Sequence, residues 1–182
     1  MFNFGFAVEP VLGHATHHQN LLRWAKADPK IQPISLPIDT NKKEFWQQMP
    51  VIRSNWSLQV SWRTREAIAS ALRVQNLDAL LLHTQSLALF AFPFMRYIPT
   101  IISTDATPLN YDEVGRGYNH KVDGNILLEK AKFLWTKSTF HAATILVTWC
   151  HWAKDSLVSD YDVTAEKVIV IPPGVAVSYT HL

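Results

Sequence analysis

"ATILVTWCHWAKDSLVSDYDVTAEKVIVIPPGV", Ala143–Val175, alternates apolar runs with a helical pattern. Thr144–Thr148 is a short, continuous apolar run, the pattern of a strand covered on both faces. Cys150–Ser159 follows and predicts a helix. Lys167–Ile171 is a second apolar run, which breaks at Pro172-Pro173-Gly174. Strand, helix, strand is the repeating unit of a parallel sheet.

The same alternation extends toward the N-terminus. Phe2–Val8 predicts a buried strand that stops at Glu9-Pro10. Ile31–Ile38 predicts a second strand, with prolines marking an edge or boundary position. Leu77–Thr84, "LDALLLHT", and Ile98–Ser103, "IPTIIS", are two more buried strands. Helices are predicted at His18–Lys26, where Asp28-Pro29 closes the pattern, and at Thr64–Val74, with Thr64 as a possible cap. Two further helices are predicted at Ser86–Phe94 and Ile126–Ala143. Gly115–Gly124 reads as a loop, and Asn41–Met49 and Arg53–Val60 carry no clear period. The fold class is therefore α/β, a doubly wound and mostly parallel sheet. Ligands in such sheets sit at the carboxyl ends of the strands. That directs attention to the loops after Val8, Leu82, Ser103, Thr148 and Ile171.

Composition excludes several classes. The 182 residues are 48% hydrophobic and 18% charged, which suits a packed domain rather than a disordered chain. A net charge of +2 gives no sign of a nucleic-acid-binding stripe. Cys150 is the single cysteine, so no internal disulfide forms and a reducing, cytoplasmic setting is expected. No basic segment followed by a long apolar run marks a signal peptide, and the apolar runs are too short to span a bilayer. The seven Trp leave peripheral membrane contact open.

Ala143–Val175 resembles the segment that closes the N-terminal domain of family 4 glycosyltransferases of the GT-B fold. The parts that carry the likeness are Thr148–Trp152, the acidic-Tyr-Gly-like turn at Asp160–Val163, and Glu166–Val175, "EKVIVIPPGV". The glycine-containing loop and helix start at Glu9–Gln19 are compatible with it, and the resemblance runs to Ala176. It implies a Rossmann-like N-terminal, acceptor-side domain at residues 1–176, with a donor-binding C-terminal domain absent. It implies transfer of a hexosyl group from a nucleotide-sugar donor, with retention, needing neither metal nor cofactor. The donor is then bound mostly by the missing domain, the acceptor is unassigned, and the fragment alone is expected to be inactive. The tail "VSYTHL", 177–182, departs from the family and reads as non-native.

Candidate site residues follow from the loops. Gly13 lets backbone approach a ligand closely, and the helix start beside it turns a positive end toward the cleft. His14, His17 and His18 cluster there; His14 and His18 share a helix face. No acidic or thiol group lies close by in sequence to complete a metal set, so one or two of them are expected to hydrogen-bond the donor or acceptor, with a surface or helix-capping role for the third. The likeness places Asp105, in "STDATP", where many family members have a histidine. It is the candidate catalytic residue, able to accept hydrogen bonds from sugar hydroxyls or a proton from an acceptor hydroxyl. Its alternative is an N-cap. Thr107 and Asn110 are weaker companions. His83 ends a strand and is either a ligand-facing or a core histidine. Arg116 is a basic candidate in a loop between two glycines, with plain solvent exposure as its alternative. Cys150 stands where the family tends to have Ser and is expected beside the cleft, not as a nucleophile.

Two other readings stay open: a non-catalytic, doubly wound ligand-binding domain, and a GT-B-like nucleotide-sugar epimerase.

Overall fold

A computed structural model describes residues 1–9, 14–38, 55–115 and 126–174. The strands are β1 (Phe2–Val8), β2 (Ile31–Ser35), β3 (Ala79–His83), β4 (Thr100–Thr104), β5 (Ile145–Thr148) and β6 (Val168–Val170). The helices are α1 (His14–Ala27), α2 (Trp56–Val74), α3 (Gln85–Ala88), α4 (Phe92–Met95), α5 (Pro108–Gly115), α6 (Ile126–Ala142) and α7 (His151–Ser159). The strands form one six-stranded sheet in the order β2-β1-β3-β4-β5-β6. Every pairing is parallel. The expected doubly wound, Rossmann-like sheet is thus the observed one.

Burial explains why the strands read so clearly. Leu80, Leu82, Ile102 and Leu146 are wholly buried, and helices cover the sheet. Full burial of such side chains stabilises by about 1.5–3 kcal/mol each. β2 is an edge strand, and edge position is what tolerates Pro33. Gly5 marks a close approach. A Cβ there would stand 2.8 Å from Leu80 Cδ2 and 3.1 Å from Leu36 Cδ1. Gly5→Val is therefore expected to cost about 1–3 kcal/mol through overpacking, checked by urea denaturation. An unchanged midpoint would show that the Leu80 and Leu36 side chains yield freely.

Three helix boundaries differ from the sequence expectation. α1 begins at His14, so all three histidines lie in its first turns. α2 begins at Trp56 and is capped by Asn55, whose side chain accepts from the Leu58 N–H at 3.1 Å. Thr64 is mid-helix and buried, and its hydroxyl donates back to the Val60 carbonyl at 2.8 Å. The single helix expected over Ser86–Phe94 is two short ones. Pro93 cannot continue a helix but is accepted in the first turn of α4. Asn41–Met49, Arg53-Ser54, most of the Gly115–Gly124 loop and the tail at 177–182 lie outside the described residues.

The turn after α7 carries the family-like feature. Asp162 has φ 53, the left-handed region that favours glycine, and its carboxylate pairs with the Lys137 ammonium. Tyr161 beside it is wholly buried, stacked on Phe133 with ring centroids 5.1 Å apart and edge-on to Phe140 at 5.0 Å.

Candidate active site

β1 is followed in space by β2 on one side and β3 on the other, so the chain reverses direction across the sheet between β1 and β3. At such a switch point the two crossovers diverge and leave a crevice beyond the carboxyl ends. Val8 pairs with His83 at this end, and the Glu9 N–H donates to the His83 carbonyl at 3.1 Å. β4 and β5 end at Thr104 and Thr148, so Asp105, Trp149 and Cys150 line the same edge. The first turn of α1 brings His14 and His17 to it.

His83 is the centre of an aromatic cluster. Its ring stacks on Trp149 at 5.1 Å and 17°, while His14 and His17 approach to 4.6 and 5.0 Å. His83 is 0% exposed, and neither ring nitrogen has a hydrogen-bond partner among the described residues; His14 Nδ1 is likewise buried without one. Burial, then the charges of His14 and His17, push His83 down to about 3; the nearby Ser103 backbone opposes this without forming a full hydrogen bond. His17 is lowered by burial and then by His14 and His18, and His18 by burial. His83 is therefore a neutral, unpaired polar ring. A buried polar group left so costs about 1–3 kcal/mol unless a ligand supplies the partner. Among the described residues, no group of three or more His, Cys, Asp or Glu side chains could hold a metal ion.

Asp105 is half-buried and held at both oxygens. Oδ1 accepts the Ala106 N–H at 2.9 Å, and Oδ2 accepts the Tyr111 hydroxyl at 2.9 Å. Burial, then the charge and hydrogen bond of Asp105, with Glu9 adding, push Tyr111 up to about 12, so it stays a donor at neutral pH. The capping role considered for Asp105 falls to Thr107. Thr107 is wholly buried and exchanges hydrogen bonds with Asn110 across the first turn of α5, N–H to Oδ1 at 3.0 Å and Oγ1 from N–H at 3.2 Å. Its hydroxyl also lies 2.8 Å from Ser156 Oγ. Thr107 and Asn110 thus tie α5 to α7. Cys150 precedes α7, half-buried, with Sγ 3.9 Å from the Asp105 carbonyl. Gly13 and Arg116 lie outside the described residues.

Three residues at this edge were not singled out from sequence. Glu9 is buried and accepts the Trp56 indole N–H, which ties β1 to α2. Trp149 packs on His83. The available signal for Glu9 and Trp149 was their place directly after apolar strands. Trp56 gave none, because its segment has no period.

A parallel sheet with a crevice at its switch point is the architecture of a Rossmann-like half of the GT-B class. Solved structures agree on the fold. The apo UGT2 of Phytolacca americana is 10% identical, with a TM-score of 0.56 over 98% of this chain and 53% of that one. The UDP-GlcNAc 2-epimerase of Neisseria meningitidis, bound to UDP-GlcNAc, is 13% identical, with a TM-score of 0.54 over 93% of this chain and 45% of that one. The UDP-N-acetylglucosamine 2-epimerase of Rickettsia bellii is 13% identical, with a TM-score of 0.56 over 93% and 44%. The chain spans about half the length of these structures. No curated protein matches it. The sequence model of Glycosyltransferase Family 4 matches residues 18–179, and the chain belongs to that family. Among the described residues, no helix is long and apolar enough to cross a membrane.

Proposed function

We propose that the chain is the acceptor-side half of an enzyme that moves a hexosyl group from a nucleotide-sugar donor to an acceptor hydroxyl. The observation that carries this reading is the carboxylate of Asp105 at the same carboxyl edge of the sheet as the His14–His17–His83 cluster. In the reaction the anomeric C–O bond to the diphosphate breaks and a C–O bond to the acceptor forms. The acceptor proton passes to Asp105, and the nucleoside diphosphate leaves with the electron pair. Oxocarbenium character on the sugar and charge on the leaving phosphate both need stabilisation. His14 and His17, in the first turn of α1, offer ring nitrogens to sugar hydroxyls, and the wholly buried His83 packs against both rings. The N-terminal end of α1 faces the phosphates, Cys150 stands beside them, Gly13 and Arg116 are assigned to the same ligand from sequence alone, and a following half of the enzyme binds most of the donor. Retention at the anomeric carbon and a reducing, cytoplasmic setting complete the proposal; the lone cysteine fits that setting.

The test compares this 182-residue chain with a protein that continues into a donor-binding half, against a panel of nucleotide sugars. The expected result is stoichiometric nucleoside diphosphate and glycosylated acceptor from the longer protein and neither from the chain. Half a cleft cannot stabilise a transition state that needs both walls. Epimerised donor without transfer would overturn the proposal in favour of an epimerase.

A further inference from the structure

We infer that the cleft between α2, α3, α5 and α6 takes the apolar body of a small amphipathic alcohol, its hydroxyl end toward Asp105. Calling this molecule the acceptor rests on the glycosyl-transfer reading; the apolar occupant rests on geometry alone. The cleft holds about 650 Å³. That lies within the range of small-molecule sites. Leu58, Leu89, Pro108, Leu128, Ala131 and Trp135 form its apolar walls. Leu128 and Trp135 are 45% and 39% exposed, so they present apolar surface to the cleft.

Several polar side chains on the lining are already engaged. Asn55 Oδ1 caps α2, and Gln85 Oε1 accepts the Thr104 hydroxyl at 2.7 Å. Ser57 and Ser86 face each other at 3.4 Å, and Lys132 is paired with Glu129 at 2.8 Å. The Trp135 indole N–H donates to the Leu89 carbonyl at 3.1 Å, so its ring has no polar handle left for the cleft. A free sugar, which needs several convergent donors and acceptors, finds few here; an alkyl or aryl body needs none. Asp112 and Thr136 complete the polar lining, and Tyr111 leads toward the sheet edge. Tyr111 stands on the wall, and its hydroxyl reaches Asp105 Oδ2 at 2.9 Å. An alcohol seated on Leu128 and Trp135 would meet the reacting carboxylate there.

The experiment titrates the 182-residue chain with 2-naphthol and, separately, with maltose, by calorimetry. Ala131→Trp fills the cleft and Leu128→Asp charges it. Both positions are exposed, so folding is expected to survive, and circular dichroism checks it. Val74→Asp, at the far end of α2 and 83% exposed, is the control. Saturable naphthol binding is expected, weakened about tenfold or more by each cleft variant, unchanged in the control, with no saturable maltose binding. No saturable naphthol binding, naphthol affinity unchanged from wild type in both cleft variants, or maltose binding that Ala131→Trp abolishes, would overturn the inference. No donor is present in this assay, so its outcome is independent of whether the longer protein transfers sugar.

Discussion

Replacing Asp105 by Ala in an enzyme that joins this chain to its donor-binding half is expected to lower sugar transfer by about 10²–10⁴-fold, the range a positioned general base supplies. The structural cost is far smaller. Asp105 makes two hydrogen bonds, to the Ala106 N–H and from the Tyr111 hydroxyl, on a half-buried loop. Each contributes about 0.5–1.5 kcal/mol, or somewhat more for a charged acceptor. Asp105→Asn separates the two effects. It keeps an oxygen for Ala106 and loses the ability to take a proton, so turnover falls while thermal unfolding stays near wild type. Tyr111→Phe is the companion. Freeing Oδ2 leaves the base in place, and transfer persists with a changed pH profile. Wild-type turnover in Asp105→Asn would return this residue to holding its own loop.

Acid is expected to destabilise the fold through His83. The unfolded residue binds a proton near 6.5, whereas the folded one resists until about 3. Between those values the unfolded state holds more protons, so stability rises with pH and is lost as pH falls below 6.5. The full contribution is present above 6.5 and is gone below about 3. The slope is about 1.4 kcal/mol per pH unit for one group, so roughly 2 kcal/mol is lost by pH 5 from His83 alone. His17 and His18, both lowered, act in the same direction. Urea midpoints of wild type and His83→Leu at pH 7 and pH 5 check this. The variant, with no proton to take up, loses less on acidification. Equal losses in both proteins would place the sensitivity elsewhere.

How far sequence reached depended on burial. β1 and the cores of β3, β4 and β5 were legible because both sheet faces are covered, which leaves unbroken runs such as Leu80–Leu82 and Ile145–Val147. β2 was legible as an edge because two prolines stand in or beside it. The start of α2 was hidden because Trp56, Ser57, Gln59 and Trp62 interrupt the apolar period, and its cap, Asn55, resembles any loop asparagine. α1 contains no buried residue, so its apolar period was a weak guide to its start. At the site, strand ends gave His83, Asp105 and Cys150. Their partners came only from three dimensions. Trp149 on His83 and Tyr111 on Asp105 pair residues 66 and 6 positions apart, and no local pattern encodes either.

Sugar transfer, as proposed, takes place at the carboxyl edge of the sheet, across the switch point between β1 and β3. Hydrogen exchange measured on the longer enzyme, with and without nucleotide sugar and acceptor, tests it most directly. Slower exchange is expected in peptides covering His83-Thr84, Thr104–Ala106 and Thr148–Cys150. Peptides covering the opposite edge, Pro99-Thr100 and Ala143-Thr144, should exchange unchanged. Protection confined to that opposite edge would contradict the account.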